Sequence, residues 1–154
     1  MCRHAPLFCP VSDCTFAGSK QLLSDHIKSN HSKIVGNFSY NKCFKLTMKQ
    51  QESYLVLLGD DDHVFLLLND FEIGPGNALS VIGIIPNSVK FKFSCVFRVR
   101  STGNVLSLRT SVEKMRKWSG IYPTNSFLIV PDYLSSYNGI HVDVCIGKSA
   151  GISM

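Results

Sequence analysis

The sequence predicts a mostly β chain: a small Cys/His-rich segment followed by an antiparallel β-sandwich of about eight strands. Three observations predict it. Cysteines, histidines and polar residues dominate residues 1–33, and runs of Val, Ile, Phe and Leu broken by Gly, Asn, Asp and Pro fill residues 34–154. Several of those runs alternate apolar and polar with the period of a half-buried strand, as in Phe91-Lys92-Phe93-Ser94-Cys95 and Ile140-His141-Val142-Asp143-Val144. The apolar runs are short and are not interleaved with helical patterns, so no parallel βαβ sheet is expected.

In the first segment Ser19 reads as a helix N-cap for Lys20 to about His31. Leu22, Leu23, His26 and Ile27 then lie on neighbouring faces, and Phe16 is placed to pack under the helix. In the second segment the expected strands are Phe38–Met48, Tyr54–Leu58, Val64–Leu68, Ala78–Ile85, Phe91–Arg100, Val105–Val112, Phe127–Val130 and Ile140–Ile146. Asp60-Asp61-Asp62 and Ser101-Thr102-Gly103-Asn104 read as hairpin connections, and Gly74-Pro75-Gly76-Asn77 as a turn. Short helical pieces are expected over Val112–Trp118 and Asp132–Ser136.

Composition excludes several classes. The 154 residues are 45% hydrophobic and 18% charged, which is globular and not disordered. No apolar run is long enough for a membrane helix, and the N-terminus lacks the apolar core of a signal peptide. A reducing compartment, cytoplasm or nucleus, is the expectation, and disulfides are not. The net charge is +5. Residues 1–33 hold four basic and two acidic groups and residues 34–154 hold twelve and nine, with no basic run for neutralising phosphates.

Three of the six cysteines fall within the first fourteen residues, a crowding that in a reducing compartment points to metal. Cys9, Cys14, His26 and His31 are spaced Cys-x4-Cys-x11-His-x4-His, which fits one structural Zn²⁺ with two thiolates on a knuckle and two imidazoles on a helix. A segment of this size buries too little apolar surface to fold alone, and metal binding supplies the missing free energy. A lone DNA-reading finger is the competing use. Its helix carries Lys20, Lys28 and Asp25 and no arginine for guanine.

The run Cys2-Arg3-His4-Ala5-Pro6-Leu7-Phe8-Cys9-Pro10, continued by Cys14, Phe16-Ala17-Gly18-Ser19 and His26…His31, resembles the second zinc finger of seven in absentia (SINA/SIAH-type) E3 ubiquitin ligases, especially the plant SINA-like branch. Ser126-Phe127-Leu128-Ile129-Val130-Pro131-Asp132-Tyr133-Leu134 and Gly139 to Ile146 resemble the end of that family's C-terminal domain. The resemblance implies a finger followed by a dimeric, TRAF-like β-sandwich. Such a sandwich binds substrates and adaptors through short extended peptides, here as a homodimer or with a full-length relative. It implies that Cys2 is the last ligand of a preceding finger and that Phe38, Tyr40, Phe44 and Leu46, on the first strand, rim the peptide groove. Where the family has a cysteine directly after Ala-Pro this chain has Leu7, which leaves Cys9 as the first ligand.

The remaining Cys and His lack the paired, interleaved spacing of a RING, so recruitment of a conjugating enzyme by these residues is not expected. His141, Asp143 and Cys145 share one strand face, which allows a nucleophilic site but reads more simply as an alternating strand. Asp60-Asp61-Asp62 with His63 reads as a solvated turn, and Lys114, Arg116, Lys117 and Trp118 as a solvated helix face with one buried aromatic. The expected function is partner binding within a ubiquitin-ligase pathway; a nucleic-acid-binding finger and an enzyme on the sandwich are the rivals.

Overall fold

The computed structural model describes residues 5–31, 35–49, 51–72, 76–101, 103–123, 126–131 and 139–149. The chain opens with a small antiparallel pair, β1 (Leu7–Phe8) and β2 (Ala17–Gly18), followed by α1 (Lys20–Asn30). Ser19 caps the helix: its backbone is extended and its Oγ accepts from the Leu22 N–H at 3.3 Å.

Two sheets follow. The larger contains β3 (Val35–Phe38), β5 (Tyr54–Gly59), β6 (Val64–Asp70), β7 (Gly76–Ile84), β10 (Glu113–Met115) and β11 (Leu128–Pro131). The smaller runs β4 (Phe44–Met48), β12 (Ile140–Ser149), β8 (Lys92–Ser101), β9 (Asn104–Ser111) in that order. Their facing sides interdigitate Phe38, Leu57, Phe65, Leu67, Leu79 and Val81 with Phe93, Cys95, Phe97, Val99, Val142, Val144 and Ile146. This is the mostly β, two-sheet body that the alternation predicts.

A third layer explains a pattern that alternation does not. In β6 the run Val64-Phe65-Leu66-Leu67-Leu68 is apolar at every position and fully buried, as happens when a strand is covered on both faces. Phe65 and Leu67 face the smaller sheet. Val64, Leu66 and Leu68 instead join Val56, Leu58, Ile82 and Ile84 against Leu7, Cys9, Leu23 and Ile27. The Cys/His segment therefore packs onto the larger sheet. Leu23 and Ile27, four apart on α1, are its fully buried contacts, whereas Leu22 is exposed.

The expected single strand Phe38–Met48 is two. β3 pairs with β5 in the larger sheet, parallel, and β4 pairs with β12 in the smaller. Asn41, at φ 62, turns the chain between them, and its N–H reaches Ile146 O at 2.8 Å. The helical piece expected over Val112–Trp118 is instead β10, which pairs parallel with the C-terminal half of β7, through Glu113 with Ile82 to Met115 with Ile84. That strand edge is otherwise open there, because β11 covers only Gly76 to Leu79. The piece expected over 132–136 lies outside the described residues, as do Cys2 and residues 74 and 75 of the expected turn; Gly76 and Asn77 begin β7. Ser101 and Asn104 pair across a turn with Gly103 at φ 77. Among the described residues no helix is long and apolar enough to cross a membrane.

Candidate metal centre

Val11 to Cys14 form a tight turn, closed by Cys14 N–H to Val11 O at 3.1 Å, with Asp13 at φ 65. The Cys9 N–H reaches Phe16 O at 3.0 Å and extends the β1–β2 pairing, so Cys9 and Cys14 face each other across the knuckle. His26 projects from α1, and His31 ends the helix, its N–H bonded to Ile27 O at 2.8 Å. The ligand atoms of Cys9, Cys14, His26 and His31 all lie within 4.8 Å of one another. Cys14 Sγ is 3.3 Å from His26 Nε2, and His31 Nε2 is 3.1 Å from the same nitrogen. A tetrahedron with zinc–sulfur and zinc–nitrogen bonds of ordinary length has edges of roughly 3.3–3.8 Å. Two sulfurs and two nitrogens at this spacing could hold a metal ion.

The surroundings suit that donor set. Phe16 lies flat on the His26 ring, with centroids 4.1 Å apart, and fixes its plane. Asn30 Nδ2 is 3.3 Å from His26 Nδ1, on the ring edge turned away from the cluster. Burial, then the neighbouring His31, lowers the His26 pKa and favours the neutral, ligating ring. Burial, with Cys14 alongside, pushes the Cys9 thiol up to about 11, so a metal must displace its proton. Leu7 packs into the layer beneath the helix with Leu23 and Ile27. Cys9, two residues on along the same strand face, supplies the corner of the cluster.

The other singled-out residues fall elsewhere. Phe38 is buried, and Tyr40, Phe44 and Leu46 pack against the same core, with Phe38 stacked on Phe44 at 5.3 Å. Their side chains face inward; β4 presents Lys45 and Thr47 to solvent along an edge that is open among the described residues. His141, Asp143 and Cys145 do share an outer face, but His141 meets Thr47, Asp143 meets Arg100, and the Cys145 thiol neighbours Cys43. Burial first, then Cys43, holds that thiol up at about 11, a protonated and poor nucleophile. Asp61 is not a solvated turn residue: it accepts from Tyr40 Oη at 2.7 Å, Lys148 Nζ at 2.8 Å and His63 Nδ1 at 2.8 Å. Lys114 donates to the carbonyls of Val89 and Phe91, Lys117 lies over Phe8, and Trp118 packs between Tyr54 and Tyr122. These are anchors of loops and of the Cys/His layer. Sequence spacing carries no sign of the Asp61 network, whose members are up to 108 positions apart, from Tyr40 to Lys148.

With this geometry in hand, three curated plant proteins match the chain. The E3 ubiquitin-protein ligase SINA-like 1 of Arabidopsis thaliana is 27% identical over 143 residues, covering 91% of this chain and 39% of the relative. SINA-like 10 of the same plant is 22% identical over 149 residues, 96% of this chain and 43% of the relative. SINA-like 4 is 23% identical over 155 residues, 96% and 47% respectively. These similarities support a SINA/SIAH-type family for the chain. They run through both the Cys/His layer and the sandwich, and the chain spans less than half the length of these relatives. No family model matches it.

Proposed function

We propose that this chain is a substrate- and partner-binding, dimerising module of a SINA-like E3 ubiquitin-protein ligase, acting in protein ubiquitination and degradation. The observation that carries the reading is the similarity to the SINA-like ligases across the Cys/His layer and the sandwich together. Residues 1–33 serve as the finger and residues 34–154 as a TRAF-like binding body. One Zn²⁺ sits between Cys9, Cys14, His26 and His31. Four protein ligands leave no position for water, so its role is structural.

The body works by offering sheet edges. The open edge of β4 accepts an extended segment of a substrate or adaptor by backbone pairing, with Phe38, Tyr40, Phe44 and Leu46 holding that edge from inside. Dimers form with a second copy or with a full-length SINA-like protein. The sequence has no RING-spaced ligand array, so the chain binds without transferring ubiquitin itself, in the cytoplasm, the nucleus or both. In a ubiquitination assay with activating and conjugating enzymes, the purified chain should give no self-modification yet bind a full-length SINA-like ligase. Robust autoubiquitination contradicts the reading.

A further inference from the structure

The finger covers the outer face of the larger sheet. The outer face of the smaller one carries a different chemistry. Along β12 the alternation buries Val142, Val144 and Ile146 and turns His141, Asp143 and Cys145 outward. The pairing register brings Lys45 of β4, Asp143 of β12 and Arg98 of β8 side by side in one cross-strand row. Arg100 stands two residues further along β8 and reaches back to Asp143, Nε to Oδ2 at 3.4 Å. Arg109 of β9 shares the next row with Val96 and Cys145. Around Lys45, Thr47, Arg98, Arg100, His141 and Asp143 the surface is concave, with a volume of about 490 Å³. Asp143 is the one carboxylate at the outward positions of these four strands among the described residues, against Lys45, Lys92, Arg98, Arg100 and Arg109.

We infer that this face is a docking surface for an acidic, extended segment of a partner protein, its carboxylates seated among Lys45, Arg98 and Arg100. Positive charge gathered on one concave face, with a single internal carboxylate, selects an anionic ligand. Outward side chains along a strand repeat at about 6.8 Å, which is also the repeat of alternate residues in an extended peptide. Acidic groups at every second position therefore come into register with Arg98 and Arg100. Asp143 remains available to a peptide N–H, whereas it repels a continuous phosphate backbone. No Phe, Tyr or Trp stands at these outward positions to stack a base. The surface thus favours a polypeptide over a nucleic acid. The inference rests on the partner-binding reading for the kind of occupant, and it adds the chemistry of that occupant.

The test is fluorescence anisotropy of the intact chain with a labelled peptide of alternating Glu and Ser, roughly ten residues long, at about 0.15 M salt. A Lys/Ser peptide and an oligo-dT of similar length serve as comparison probes. The Glu/Ser peptide should bind, the Lys/Ser peptide should not, and Arg98→Gln with Arg100→Gln should weaken binding by about tenfold. Lys90→Glu, an exposed charge reversal away from the face, should leave it within about twofold, with thermal melting unchanged in both variants. Equal weakening by Lys90→Glu, no binding of the acidic peptide, or tighter binding of oligo-dT each overturns the inference. None of those outcomes touches the ubiquitination assay, whose failure would strike the parent reading alone.

Discussion

Lys28 on α1 and Asp62 in the β5–β6 turn meet at 3.0 Å, and Ser24 Oγ donates to the same Asp62 oxygen at 2.9 Å. This is where the Cys/His layer is held to the sandwich by charge as well as by apolar packing. The two contacts differ in worth. The Lys28 side chain is 50% exposed, so Lys28→Ala should cost about 0.5 kcal/mol or less. Ser24 is fully buried, and Asp62 sits at φ 68, a backbone region alanine resists. Asp62→Ala leaves a buried hydroxyl without its acceptor and should cost about 2 kcal/mol. Urea denaturation of the two variants checks the order. A larger loss for Lys28→Ala would mean that the ion pair, not the buried hydroxyl, holds the layers together.

The same docking predicts that, with Zn²⁺ bound at the Cys/His cluster as proposed, removing it is felt beyond the cluster itself. Leu7, Cys9, Leu23 and Ile27 pack on Val56, Leu58, Val64, Leu66, Leu68, Ile82 and Ile84 of β5, β6 and β7. If the metal ties the finger together, a strong chelator should bare Val56, Leu58, Leu66 and Ile82. Metal content should be one zinc per chain and should fall to none in Cys14→Ser. The chelated protein should bind a hydrophobic dye and melt at a lower temperature, by several degrees or more. Unchanged melting after verified metal loss would show that apolar packing alone keeps the layer closed.

Asp61 predicts an acid sensitivity. Burial alone would raise its carboxyl, but the bonds from Lys148, Tyr40 and His63 outweigh burial and hold it well below the usual carboxylate range. A carboxyl depressed on folding contributes stability above its unfolded value, near 4, and that contribution is lost as pH falls towards the folded value. His63 acts in the same direction. Burial keeps its ring neutral despite Asp61, so stability is full above about 6.5 and declines below it as the unfolded chain takes up the proton. Melting temperature should therefore fall in two stages on acidification. Asp61→Asn should lower stability by about 2 kcal/mol at neutral pH and flatten the stage below pH 4 relative to the parent. A parallel pH profile in the variant would remove Asp61 as the cause.

How much of this was legible beforehand depended on whether the signal was local. The Ser19 cap, the Cys/His spacing and the period of β8 and β12 are short-range signals: the cap and both strands stand where the sequence puts them, and Cys9, Cys14, His26 and His31 come together in a group that could hold a metal ion. Features set by distant partners were not visible. From Phe38 to Met48 every second residue except Lys42 is apolar, which reads as one continuous alternating strand and masks the turn signal of Asn41, where the chain leaves one sheet for the other. The residues around Trp118 have a helical charge pattern, but an open β7 edge recruits Glu113 to Met115 as a parallel strand. Lys45, Arg98, Arg100 and Arg109 look dispersed in a chain without a basic run, and only the register of four strands collects them.

Leu66 and Leu67 are neighbours in β6, are equally buried, and serve different layers: Leu66 faces the finger and Leu67 the smaller sheet. Truncating either to alanine opens a cavity and should cost about 2–5 kcal/mol. The consequences separate at the metal centre. Leu66→Ala removes apolar contact beneath Leu23 and Ile27, the residues that seat α1 and with it His26 and His31. Zinc affinity should then fall by about tenfold, because part of the free energy of closing the finger comes from that contact. Leu67→Ala loosens the opposite face and should leave zinc affinity within about threefold under conditions where both variants remain folded. Competition with a chromophoric chelator measures both. Equal loss of affinity in the two variants would mean that finger and sandwich share one indivisible core, and no loss in either would mean that the metal closes the finger without help from the sheet.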